Sequence, residues 1–149
     1  MFGRIFFNLL LVAFLSACST TLSHQPRAIF SEEDARLIVT RAFNEQPDGS
    51  RPVAAEVTDD AVILDLEGLK RSGWTGGVTS VKMREFYYFD NLAPLNTSKK
   101  NGRWQVFLSY KDKSVWRWVF FYDEQKALNF IDAIESLSQS KTRGLNKAR

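Results

Sequence analysis

The chain is poor in the residues from which most catalytic and metal sites are built. Its 149 residues include one histidine, His24, and one cysteine, Cys18. A disulfide within the chain is therefore excluded, as is a zinc site built from several histidine or cysteine ligands. A Ser-His-Asp or Cys-His site needs an imidazole held in place, whereas His24 lies in a polar, aperiodic segment. We predict no metal and no cofactor. Stability must come from packing, to which the aromatic residues, 13% of the chain, contribute.

The chain also lacks a strong excess of either charge. It has 20 Lys and Arg against 17 Asp and Glu, a formal net charge of +3. Removal of residues 1–17 would take away Arg4 and lower this charge to +2. Such a small excess does not indicate nucleic acid binding. The nucleotide-binding motifs G-x-x-x-x-G-K-S/T and G-x-G-x-x-G are absent from the sequence.

The apolar segment near the start is too short to cross a bilayer. Ile5–Leu15 is about half as long as the roughly 20 residues of a transmembrane helix, and the polar segment 19–21 follows closely. A short positive segment, Met1–Arg4, precedes it. This order is typical of a secretory signal peptide, and we interpret residues 1–17 in this way. A retained transmembrane helix is the alternative.

Cys18 lies directly after this segment. Leu15-Ser16-Ala17-Cys18 resembles the lipobox of bacterial lipoproteins, and the resemblance covers the first 18 residues. It implies that signal peptidase II recognises Leu15, Ser16 and Ala17, and that Cys18 carries a diacylglycerol and an N-acyl chain such as palmitate. Two or more chains anchor a protein stably. Ser19, in place of Asp, implies sorting to the outer membrane, facing the periplasm. Cys18 as a small residue at an ordinary cleavage site is the alternative.

The mature chain divides into three segments. Residues 18–29 are polar and aperiodic and are interpreted as a lipidated tether, of which the eleven residues after Cys18 span at most about 40 Å. The domain is therefore expected to lie close to the membrane. Residues 30–140 are predicted to form one domain, and residues 141–149 a basic, flexible tail.

Periodicity predicts a helix at each end of the domain. Ser31 is a favourable N-cap for the first helix, and Asp123 for the second. Both helices have one apolar stripe at helical spacing: Ala35, Ile38, Val39, Ala42 and Phe43 in the first, and Ala127, Leu128, Ile131, Ile134 and Leu137 in the second. The serines from 136 to 140 are predicted to end the second helix.

Between the helices we predict about five antiparallel strands in meander order, at 53–58, 61–66, 78–89, 103–110 and 115–122. The result is an α+β domain. The strand from Val115 to Tyr122 and the helix after it resemble the end of pleckstrin-homology-like domains, over about residues 53–140. The resemblance implies a half barrel closed by the last helix, and a binding or scaffolding function. A plain layer of helices on a sheet is the alternative.

The tryptophans are candidates for binding. Trp74 lies among glycines in the segment 72–77 and either presents its ring to a partner or folds back over the sheet, which is the favoured interpretation. We expect Trp104, Trp116 and Trp118 to belong to the core, with the last strand covered on both faces.

Three cations flank a predicted tight turn. Asn101-Gly102 is a strong turn signal, with Lys99 and Lys100 before it and Arg103 after it. Such a cluster is usually solvated. Contact with a membrane or a protein partner is the functional alternative.

Carboxylate pairs are the remaining catalytic possibility. Asp59-Asp60 is predicted to be a turn. Asp65 and Glu67 have the spacing of one strand face and could act as a glycosidase pair, with Glu85 and Asp90 as alternatives. Because any globular protein contains such pairs, we do not predict an enzyme.

The expected function is therefore a non-catalytic binding or scaffold module for a protein or lipid partner, anchored in the cell envelope. The alternatives are an enzyme or inhibitor acting on cell-wall glycan, and a lipid carrier. Nucleic acid is not expected as a partner.

Overall fold

The computed structural model describes residues 21–22, 29–47, 49–71, 78–114 and 116–147, to which all that follows applies. They form an α+β fold in which one helix precedes and one follows most of the strands, as predicted. The strands are β1 (Thr21–Leu22), β2 (Ala54–Val57), β3 (Ala61–Arg71), β4 (Val78–Tyr88), β5 (Asn96–Lys100), β6 (Arg103–Ser109) and β7 (Trp116–Phe121). The helices are α1 (Glu32–Asn44) and α2 (Glu124–Lys147), and a short 3₁₀ segment, Phe89–Asn91, follows β4.

Helix α1 begins at the predicted cap. The Ser31 hydroxyl oxygen accepts a hydrogen bond from the Asp34 N–H at 3.1 Å, and the hydroxyl donates to the Asp34 carboxylate at 2.6 Å. The acidic first turn, residues 32–34, complements the positive end of the helix dipole. The predicted stripe faces the core, with these members buried: Ala35, Val39, Ala42 and Phe43.

The first sheet has the strand order β2-β3-β4 and is antiparallel throughout. Strand β3 is longer than the predicted segment, which ended at Leu66. It continues to Arg71 because β4 pairs with it along its whole length, from Ala61 opposite Tyr88 to Arg71 opposite Val78.

The second sheet has the strand order β1-β5-β6-β7 and is also antiparallel. The prediction of about five strands was wrong: six strands of four or more residues form two sheets, and β1 adds a short seventh within the segment 18–29. Strand β5 was missed because Thr97 is its one buried side chain, so the segment has no apolar alternation.

The core lies between the sheets and the helices. Phe130 of α2 is fully buried and joins the layers, since its ring lies 5.8 Å from that of Phe43 in α1 and 5.4 Å from that of Phe121 in β7 (centroid distances).

Helix α2 does not end at its serines. It runs to Lys147, through most of the segment interpreted as a tail. The Ser136 hydroxyl donates to the carbonyl of Asp132 at 2.8 Å, and the Ser140 hydroxyl to that of Leu137 at 2.9 Å. These bonds satisfy the serine side chains within the helix, so the serines do not terminate it.

Candidate functional site

The outer face of the second sheet carries an exposed aromatic cluster. Alternation along β7 turns Val119 and Phe121 toward the core and leaves Trp116 and Trp118 60% and 38% exposed. Phe107 of β6 pairs opposite Trp118, with ring centroids 4.6 Å apart, and lies 6.2 Å from the Trp116 ring. We name these three residues, Phe107, Trp116 and Trp118, the aromatic face.

This arrangement corrects the prediction for two of the tryptophans. Trp104 is 9% exposed and belongs to the core as expected. Trp116 and Trp118 do not, because α2 packs on the other face of β7, where the rings of Phe121 and Phe130 lie 5.4 Å apart. The sequence did place both tryptophans on one face of the strand. That this face is uncovered depends on which face of the sheet the helices cover.

The three predicted cations surround the turn between β5 and β6. The side chains of Lys99, Lys100 and Arg103 are all exposed. The Arg103 guanidinium lies over the ring of Tyr122, 5.1 Å from its centroid, and the Lys99 ammonium lies 5.5 Å from the centroid of the Trp104 ring. We name residues 99–103 the basic hairpin. It lies on the same sheet as the aromatic face, with Arg103 four residues before Phe107 on β6.

Charge is distributed differently on the two sheets. Strands β5, β6 and β7 contain Lys and Arg but no Asp or Glu in their sequences. On the first sheet, acids and bases alternate across strands, with Asp65 opposite Arg84 and Glu67 opposite Lys82. Arg117 of β7 forms an ion pair with Glu85 of β4, and the excess positive charge of the second sheet is therefore that of Lys99, Lys100 and Arg103.

Asp65 and Glu67 lie on the same face of β3 but have structural partners. The Asp65 carboxylate accepts two hydrogen bonds from Arg84, at 2.6 Å from Nε and 2.8 Å from Nη2, and Glu67 accepts one from the Ser80 hydroxyl at 2.6 Å. The Arg84 guanidinium holds the pKa of Asp65 below its ordinary value. A glycosidase acid needs the opposite shift, so this arrangement does not favour acid catalysis by Asp65.

Glu85 belongs to a polar network between the sheets. Its carboxylate accepts hydrogen bonds from the Tyr87 hydroxyl at 2.8 Å and from Arg117 Nη1 of β7 at 3.1 Å. Arg117 Nη2 also donates to the Ser50 carbonyl at 2.9 Å. Burial raises the pKa of Tyr87, and its hydrogen bond to Glu85 raises it further. The network joins β4 to β7 and is structural in character.

The remaining acidic candidates lie in connections between strands. Asp59 and Asp60 form the β2–β3 turn, as predicted, which Thr58 closes by donating from its N–H to the Ala61 carbonyl at 2.9 Å. The Asp59 carboxylate forms an ion pair with Arg36 of α1. Asp90 lies in the exposed part of the 3₁₀ segment.

Two clefts on the surface have charged side chains in their linings. One, of about 370 Å³, is lined in part by Asp65, Glu67, Lys82 and Arg84. The other, of about 270 Å³, lies between α1 and α2, where its charged lining residues are Arg41, Glu45 and Lys126. A further cleft, of about 290 Å³, lies between the segment 89–95 and α2 and has a mainly apolar lining that includes Phe89, Leu92 and Ile134. In the described ranges, no three His, Cys, Asp or Glu side chains are grouped as metal ligands.

Several predicted site residues lie outside the described part of the chain. They are Leu15, Ser16, Ala17, Cys18, Ser19 and Trp74, whose roles stay predictions. Neither described helix has the length and apolar character needed to cross a membrane.

No protein-family model, curated protein or solved structure matches the chain.

Proposed function

We propose that this protein is a lipid-anchored lipoprotein of the bacterial cell envelope, and that it acts as a non-catalytic binding or scaffold module through the outer face of its second sheet. The observation that carries the binding function is the aromatic face, where Trp116 and Trp118 are exposed beside Phe107. Exposed aromatic clusters beside cations are typical of interaction surfaces. The lipobox-like segment ending at Cys18 supports the anchor and the location at the outer membrane.

The finer architecture that we propose is a half barrel similar to pleckstrin-homology-like domains. Two antiparallel groups of three strands, β2–β4 and β5–β7, followed by a helix that packs into the core, support this architecture. Tyr110, which follows β6, also connects the sheets, because its hydroxyl donates to the Phe86 carbonyl at 2.5 Å and accepts from the Tyr88 N–H at 3.1 Å.

A cell-wall glycan is the second candidate ligand, because the faces of Trp116 and Trp118 could stack on sugar rings. An inhibitor or binding protein for glycan needs only the aromatic face. The enzyme form of this alternative is less supported, since Asp65 and Glu67 are engaged by Arg84 and Ser80. Loss of a hydrolytic activity in a folded Asp65→Asn/Glu67→Gln variant would favour it.

The anchor is tested by metabolic labelling with a fatty acid and mass spectrometry of the N-terminal peptide. We expect label in the natural chain and in Thr20→Ala, the matched control outside the lipobox, and none in Cys18→Ala. Label that persists in Cys18→Ala would contradict lipidation at this thiol.

The binding function is tested by crosslinking in intact cells and capture of the protein with its partner. We expect Trp116→Ala/Trp118→Ala to lose the captured protein, lipid or glycan while the protein stays folded, which circular dichroism checks. The matched control is Phe86→Ala/Tyr88→Ala, which removes a stacked, exposed aromatic pair from the first sheet. Equal capture by both double variants would show that the aromatic face is not the binding surface.

A further inference from the structure

The first strand determines where an anchor at Cys18 attaches to the domain. Thr21 pairs with Ser98 and Leu22 with Thr97, so the chain approaches β5 from the side of Lys99. Three peptide steps separate Cys18 from Thr21 and span at most about 11 Å. A lipid on Cys18 therefore holds this end of β5, and with it the basic hairpin, next to the bilayer surface.

The side chains on this part of the molecule suit a membrane–water interface. Tyr122 is 73% exposed beneath Arg103, and Trp116 and Trp118 continue the exposed aromatic surface along β7. Tryptophan and tyrosine are enriched where lipid meets water, because their rings are apolar and their N–H or O–H groups remain hydrated. Arginine beside them can bind phosphate oxygens with charge-assisted hydrogen bonds.

The positive charge of this face favours lipids with anionic headgroups. Lys100 and Arg103 are exposed on strands that contain no acidic residue, whereas on the first sheet Arg84 is paired with Asp65. Basic residues near a membrane are attracted to anionic headgroups over about one Debye length. The face therefore complements an anionic bilayer and not a zwitterionic one.

We propose that the outer face of the second sheet docks on the anionic phospholipid surface that carries the lipid of Cys18, with its cations at the phosphates and its Trp and Tyr rings at the interface. The bilayer is then the partner of the binding face. This inference rests on the lipid anchor proposed above. It orients the domain so that the first sheet, with its paired charges, is directed away from the membrane.

The test uses the purified lipidated protein in vesicles whose acyl chains are brominated, because bromine quenches nearby tryptophan fluorescence. We expect stronger quenching in vesicles of phosphatidylethanolamine with phosphatidylglycerol than in vesicles of phosphatidylcholine, and weaker quenching at high salt. In a Trp74→Phe background, Trp116→Phe/Trp118→Phe should lose most of the quenching, since the remaining Trp104 is buried.

A charge variant isolates the role of the basic hairpin. Lys100→Gln/Arg103→Gln should reduce quenching by roughly half or more. The matched control, Arg41→Gln/Lys82→Gln, removes two exposed cations from α1 and β4 and should quench like the natural protein. Circular dichroism checks that each variant is folded, and the salt series tests the same attraction with the unchanged protein.

The outcomes separate this inference from the anchor. If mass spectrometry shows the lipid on Cys18 but quenching is weak, or equal in both kinds of vesicle, the docking proposal is wrong and the anchor stands. If Cys18 carries no lipid, both are wrong. A protein that covers Trp116 and Trp118 in place of the bilayer would also overturn the docking proposal.

Discussion

At two strand edges, a single side chain forms hydrogen bonds with backbone N–H and C=O groups that have no partner strand. The Gln46 amide accepts from the Phe120 N–H at 2.9 Å and donates to the Phe120 carbonyl at 3.2 Å, so it occupies the place of a neighbouring strand beside β7. Tyr110 does the same for β4. Covered edges of this kind limit pairing with other chains. The aromatic face of β7 stays exposed because Gln46 covers only the strand edge.

At the same scale, the buried Tyr87 is expected to lower the free energy of unfolding at alkaline pH. Because its pKa is raised in the folded state, the unfolded chain loses the tyrosine proton first, and stability falls as pH rises above about 10, the ordinary tyrosine pKa. Tyr87→Phe lacks this titration. We expect it to be less stable than the natural protein by about 1–2 kcal/mol at pH 7, from the lost hydrogen bond, and the difference to shrink above pH 10.

Urea denaturation between pH 7 and pH 11 measures this effect. Tyr122→Phe is the matched control, since Tyr122 is largely exposed, and should follow the natural protein throughout. A constant difference between the natural protein and Tyr87→Phe across this range would contradict the prediction.

At the scale of the element, the β5–β6 hairpin depends on its turn. Asn101 and Gly102 have φ angles of 52° and 75°, as a two-residue turn of type I′ requires. This turn was predicted from Asn101-Gly102, because the signal is local. Strand β5, which precedes the turn, was not predicted, because its own sequence has no apolar alternation. It is a strand because it pairs with β6 and β1.

We expect Gly102→Ala to destabilise the protein by about 1–2 kcal/mol, since a Cβ is disfavoured at positive φ. No atom lies within 4 Å of the added Cβ, so the backbone conformation alone is responsible. Gly68→Ala is the control: its Cβ would lie 3.7 Å from Met83 Cε, an ordinary contact, and its φ is not positive. Urea denaturation should show little change for Gly68→Ala. Equal losses in the two variants would contradict this explanation.

At the scale of the whole molecule, α2 holds the layers together through Phe130. Phe130→Ala removes its contacts with Phe43 and Phe121, and we expect a loss of about 3–5 kcal/mol. Leu37→Ala, on the exposed side of α1, should change stability by no more than about 0.5 kcal/mol. Thermal or urea denaturation compares the two. A small effect of Phe130→Ala would mean that the helix is not required to close the core.

The sequence by itself determined where both helices begin, the turns at Asp59-Asp60 and Asn101-Gly102, and the two faces of β7, because caps, turn residues and alternation act over a few neighbouring residues. Only the tertiary structure decided that the strands form two sheets, that Glu85 joins them through Arg117, and that Trp116 and Trp118 are exposed. These features depend on which strands pair and which face the helices cover. Strand pairing and helix packing depend on contacts between residues that are distant in the chain, and no local sequence pattern indicates those contacts.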